Sequence, residues 1–169
     1  MKKIFISLVS LLVFTSCVLH VYRFTSVNYN NSRISISAGL VNSEDEKSPV
    51  EYIGVSDVRS NVNTPHKVKI LSSTIKIIDS NNKEYIAKTN SNSGYIHIYK
   101  QGVVITDDFK AYIGKVQLDD GTIIDIPPLS FKKTVYVERY SVISDTINAG
   151  GRGKEIFSGT VEDYKKQKK

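Results

Sequence analysis

Few residues in this 169-residue chain combine the type and the spacing that chemistry requires. Cys17 is the single cysteine, so no intramolecular disulfide forms and no thiolate pair is at hand for a metal. The three histidines, His20, His66 and His97, lie far apart, and none has a second ligand at metal-binding spacing. Asp107-Asp108 and Asp119-Asp120 are carboxylate pairs, a residue type that glycosidases and calcium loops use. Neighbours on an extended chain point apart, and both pairs fall where turns are expected. They are read as turn chemistry, with a weak calcium loop as the alternative. Gly150-Gly151-Arg152-Gly153-Lys154 superficially matches a phosphate loop. Asn148 stands where that loop needs its first glycine, and Glu155 where it needs a hydroxyl, so a flexible linker is the reading. No Gly-x-Ser-x-Gly elbow occurs. No catalytic residue and no metal ligand is therefore assigned. One surface candidate remains. In Tyr95-Ile96-His97-Ile98-Tyr99, alternation puts Tyr95, His97 and Tyr99 on one sheet face. Such a row is either a binding platform or rings covering a half-exposed sheet.

The elements that carry these residues read as β-strands. The chain is rich in Ile, Val, Tyr and Thr, which pack well on a pleated surface, and in Ser and Asn, which favour turns. Arg33–Ser37 alternates, with Ile34 and Ile36 on one face, and Ser43–Pro49 is a polar loop before a strand over Val50–Val58. In Lys67–Asp79, Val68 and Ile70 share one parity while Ile75 and Ile77 take the other, which predicts a bulge or bend at Ser72-Ser73. Ser80–Lys83 makes a tight turn into Glu84–Lys88, and Lys100–Gly102 connects the Tyr95–Tyr99 strand to one over Val103–Ile105. The strongest local signal is the hairpin Tyr112–Leu118 to Thr122–Ile126 across Asp119-Asp120-Gly121. Pro127-Pro128 stops it, and Phe131–Val142 is the last strand. Roughly seven to nine strands with turns between them predict an all-β antiparallel sandwich, immunoglobulin-like in its layers, with a small closed barrel as the alternative.

The charge of +6 is unevenly placed. Lys2 and Lys3 precede the apolar start, and the segment from Arg152 carries a net +3, which leaves +1 on residues 4–151. A near-neutral body has no field to draw nucleic acid.

The N-terminus has the layout of an export signal: Lys2-Lys3, then the apolar Ile4–Phe14, then the small Thr15-Ser16 before Cys17. Val13-Phe14-Thr15-Ser16-Cys17 resembles the lipobox of bacterial lipoproteins, with Phe14 where that family usually has Leu and an apolar Val18–Tyr22 where it usually has a polar tether. The resemblance covers the first seventeen residues and implies a diacylglycerol on the Cys17 sulfur, with Cys17 as the first mature residue. Val18 lacks the Asp linked to inner-membrane retention in enteric-type lipoproteins, which favours the outer membrane where the host has one. Two other readings stay open: an uncleaved single-pass inner-membrane anchor over Ile4–Tyr22, and an ordinary cleaved signal. All three place the body outside the cytoplasm.

The expected organisation is a signal peptide at 1–16, a membrane-proximal tether at 17–31, the sandwich at 32–144 and a flexible basic tail at 145–169. The expected function is that of a non-enzymatic envelope lipoprotein. It would act as a structural or protein-binding module, held to the membrane by its lipid and using no other cofactor. An immunity or phage- and toxin-exclusion lipoprotein is the first alternative, and an envelope hydrolase the second.

Overall fold

The computed structural model describes residues 16–60, 66–90, 93–141 and 153–168. Most of the expected signal peptide at 1–16, the turn expected at Asn61–Pro65 and the glycine-rich stretch ending at residue 152 lie outside these. Among the described residues there are twelve strands. They are β1 (Ser16–Ser26), β2 (Ile34–Leu40), β3 (Val50–Asp57), β4 (Val68–Ile70), β5 (Thr74–Asp79), β6 (Glu84–Lys88), β7 (Tyr95–His97), β8 (Phe109–Tyr112), β9 (Gly114–Leu118), β10 (Ile123–Ile126), β11 (Leu129–Ser141) and β12 (Lys154–Thr160). A 3₁₀ turn covers Tyr99–Gln101, and one α-helix, α1, covers Val161–Gln167. The protein is all-β and antiparallel, as its composition predicts. It divides into two compact units, one of Tyr22–Thr134 and one of Met1–Val21 with Val135–Lys169.

In the larger unit the main sheet runs β6-β5-β8-β11-β1-β2-β3-β7, and a small sheet runs β10-β9-β4. Two strands turn a corner between these sheets. β4 passes into β5 through Leu71-Ser72-Ser73, and β8 passes into β9 at Gly114, whose φ of 79° suits a residue without a β-carbon. Ile70 pairs with Val116 in the small sheet, while Lys76 pairs with Tyr112 in the main one. The parity switch in Lys67–Asp79 is thus a strand changing sheets, which sets Val68 and Ile70 on one inner face and Ile75 and Ile77 on another.

Both inner faces fill one core, with Phe24, Ile53, Ile77, Ile96, Phe109, Val116 and Phe131 all buried. Phe109 stacks on Phe131 at 4.7 Å and meets Phe24 edge-on at 5.3 Å. The main sheet curls until its end strands nearly meet. The Gln101 side chain spans the gap: Oε1 accepts from Lys88 N at 2.7 Å, and Nε2 donates to Lys88 O at 2.9 Å and His97 O at 3.0 Å. The unit therefore combines sandwich-like layers with the near-closure of a small barrel.

Three expectations change. Residues 17–31, expected as a membrane-proximal tether, include most of β1, which carries Phe24 into the core, and Val27 N donates to Ser130 O. β1 pairs with β2, which follows it closely, and with β11, which lies far along the chain, and it does not alternate cleanly. Val103–Ile105 is not a strand: Gly102 ends the 3₁₀ turn in a left-handed conformation, and Val103 and Ile105 tuck into the core irregularly. The described part of the 145–169 tail, expected to be flexible, contains β12 and α1.

In the smaller unit β12 pairs with β11, and Thr160 caps α1 by accepting from Asp163 N at 3.1 Å. Glu162 and Asp163 at the helix start and Lys165 and Lys166 at its end suit the helix dipole. Val135, Val137 and Val161 are buried, and His20 Nε2 lies 2.8 Å from Tyr164 Oη. The hydroxyls of Tyr136 and Tyr140 both donate to Glu138, and that carboxylate pushes Tyr136 up to about 12.

Two substitutions separate the core from the seam. Ile77→Ala is expected to cost about 2–5 kcal/mol of stability, as large-to-small core changes do. Gln101→Ala is expected to cost only about 1 kcal/mol, because its backbone partners are exposed and regain water. It should still speed hydrogen exchange at the Lys88 amide, a change that Ile77→Ala would not confine to that edge. Urea titration and amide exchange check both outcomes.

Candidate functional site

The outer face of β2-β3-β7 collects rings. Tyr52 stands opposite Gly39 on one side and His97 on the other, and Gly54 stands opposite Tyr95. The Tyr52 ring meets Tyr95 edge-on at 5.4 Å and His97 at 6.0 Å. The two glycines make room for them. A β-carbon on Gly39 would sit 2.5 Å from the Tyr52 ring, and one on Gly54 would sit 2.8 Å from the Tyr95 ring. The result is a low surface of two phenols and an imidazole resting on bare backbone. Tyr95 is 46% exposed, so its ring is open to a partner. This arrangement suits stacking and hydrogen bonding with a peptide or saccharide.

Tyr95 and His97 take their expected face. Tyr99 does not share the strand: Ile98 turns into the α-region, and Tyr99 sits exposed in the 3₁₀ turn that follows. Tyr52 is the member that sequence reading misses. Its parity, opposite to Ile53 and Val55, marks it as outward, but only the β3–β7 register brings it to Tyr95.

A second cluster gathers at the end of β3. Asp57 is 2% exposed and must be paired. Arg59 does this with a fork, Nη2 at 2.6 Å from Oδ2 and Nε at 3.0 Å from Oδ1, while the Arg59 amide donates to Oδ1 at 2.9 Å. The hydrogen bond from the guanidinium, against the opposing effect of burial, holds Asp57 at about 2. The same guanidinium lies 3.4 Å from Asp119 and 3.5 Å from Asp120. Arg33 Nη2 pairs with Asp120 at 2.5 Å, and His66 Nδ1 with Asp119 at 2.5 Å. Hydrogen bonds from Thr122, and then from Arg33, hold Asp120 well below the usual carboxylate range. Asp119-Asp120 does form the expected turn, with Gly121 at a φ of 83°, and it also anchors this network.

Asp57, His66 and Asp119 each offer one ligand atom within 4.8 Å of the others. Their fit to a cation is poor, since the Arg59 fork covers both Asp57 oxygens and supplies the positive charge itself. His66 on Asp119 also has the form of an oriented imidazole, half of a hydrolytic triad. The Ser60 hydroxyl beside it accepts the His66 backbone amide at 3.0 Å. The cluster therefore works as a staple between the end of β3, residue 66 and the β9–β10 turn.

Comparisons with protein families, curated proteins and solved structures find no match.

The remaining site residue, Cys17, lies near the start of β1 with its thiol exposed. His20 pairs with Tyr164, so the three histidines fall in three separate environments.

The Asp57 pair has a directional consequence. Its folded pKa is depressed, so the stability it contributes is present above about pH 4 and lost as pH falls through about 2. Asp57→Asn is expected to flatten that acid limb, removing up to one proton from the uptake on unfolding. Arg59→Ala is expected to cost more than Asp57→Asn near neutral pH, because it strands a buried charge whereas the amide stays neutral. Denaturation midpoints measured from pH 2 to 7 decide both points. Equal losses for the two variants would refute the staple.

Proposed function

We propose that this chain is a lipid-anchored protein of the bacterial cell envelope. It acts through contact, with the Tyr52, Tyr95 and His97 face as its contact surface. The observation that carries the anchoring is the order of the first residues: a basic pair, an apolar run, two small residues and then the only cysteine of the chain. The exposure of that thiol supports it, since an open sulfhydryl is a liability outside the cytoplasm and acylation removes it. Two acyl chains hold a protein stably on a membrane, each buried CH₂ contributing about 0.8 kcal/mol.

The contact role is supported by the two glycines, which lay the rings low across the strands and leave Tyr95 open. A solitary exposed ring would call for no such accommodation.

Metabolic labelling with radiolabelled palmitate tests the anchor. The chain is expected to take up label and stay with membranes after a high-salt wash, and Cys17→Ser to lose the label. Label retained by Cys17→Ser, or no label on the unaltered chain, overturns acylation at Cys17; an unaltered chain that stays with membranes without label points to an uncleaved anchor. A photo-reactive phenylalanine analogue tests the contact face. Adducts are expected from position 95 and not from position 123, which is exposed on the small sheet. Equal adducts from both positions would remove the face from the reading.

A further inference from the structure

A separate feature lies on the opposite flank of the larger unit. A cleft of about 360 Å³ opens over β5, β8 and β11, at the small end of the range for ligand pockets, roughly 300–1,000 Å³. Its lining includes Ile78, Lys110, Tyr112, Ser130 and Lys132 from the outer faces of those strands, with Ser80 and Asn82 from the β5–β6 turn. The register sets Lys110 between Ile78 and Ser130. Lys132 follows Phe131, the partner of Phe109, so the two lysines are diagonal neighbours across β8 and β11. Diagonal pairs hold their β-carbons about 7–8 Å apart, close enough for both ammonium groups to reach one anion.

Neither lysine has a hydrogen-bond or ion-pair partner among the described residues. Two acids, Asp79 and Asp108, line the cleft with the lysines, and both are partly committed. The Asp79 carboxylate accepts from Asn81 N at 2.9 Å, Lys83 N at 2.9 Å and Tyr85 Oη at 3.2 Å. Asp108 Oδ1 accepts from Lys133 N at 3.0 Å. Beside the cleft, Lys76 sits 4.8 Å over the Tyr112 ring, which adds a third cation near the floor, shared with Glu84 at 3.3 Å. Ile78 and the Tyr112 ring give the floor an apolar part that a bare ion does not use. The side chains of Ser80, Asn82 and Ser130 are without partners among the described residues and can meet hydroxyl groups.

We propose that this cleft binds an anionic saccharide. The sugar ring rests on Ile78 and Tyr112, and the phosphate or carboxylate is held between Lys110 and Lys132. The site is independent of the lipid anchor and of the Tyr95 face. Its chemistry divides the work, with charge-assisted hydrogen bonds fixing the anion and ring contact selecting a sugar over a simple ion.

The test is amide chemical-shift titration of the full-length ¹⁵N-labelled protein in detergent micelles, with glucose 6-phosphate, galacturonate, neutral glucose and inorganic phosphate. At least one anionic sugar is expected to give saturable shifts at residues 78–82, 108–112 and 130–132, while glucose gives none. Inorganic phosphate is expected to bind at least about tenfold more weakly, since it gains nothing from the floor. Lys110→Ala with Lys132→Ala should weaken sugar binding about tenfold or more, with the rest of the spectrum unchanged because both side chains are exposed. Asp108→Asn should tighten it. Absence of saturable shifts with both anionic sugars, equal affinity for inorganic phosphate, or binding that survives the double variant would each overturn the proposal.

Discussion

The carboxamide of Gln101 takes part in three backbone hydrogen bonds at once, two to β6 and one to β7. An open sheet has two edges, and each presents unpaired amides and carbonyls that must find partners. Here the main sheet curls until both edges come within the reach of one side chain, while the corners at Leu71–Ser73 and Gly114 lead into the small sheet. The 3₁₀ turn that ends at Gly102 aims it there. The core, the outward rows and both candidate surfaces inherit their geometry from this curl. A flatter sheet would have no single interior.

The polar features obey a related rule, that a group shut away from water must find its complement close by. Asp57 does so within two residues, and the fork that neutralises it then reaches the β9–β10 turn. On the ring-bearing face the same economy appears in steric form. Gly39 and Gly54 give up side chains of their own so that cross-strand neighbours can lie over the backbone. In both places a local choice of residue settles an arrangement between distant strands.

How much of this was legible in the sequence follows from distance along the chain. The β9–β10 hairpin, the stop at Pro127-Pro128 and the bend at Ser72-Ser73 were readable because turn chemistry and parity are written within a dozen residues. The strands β1 and β12 were not, since neither alternates cleanly; both pair with β11, and β1 with β2 as well. Tyr99 falls outside the strand because Ile98 turns into the α-region, which nothing in its immediate neighbours announces. Tyr52 and the Arg33–Asp120 pair needed the register between strands. Long-range pairing is the part of a β-fold that periodicity leaves open.

The early start of β1 bears on how far this protein could act from a surface. Regular structure is already present at Ser16, so a lipid carried by the Cys17 sulfur would join directly to a pleated strand. A leash of disordered residues lets a domain sweep a hemisphere above its anchor, with a radius that grows as the square root of the leash length. Without one, that radius collapses to the dimensions of the folded chain. A partner of a chain anchored in that way would have to come down to the bilayer to be met.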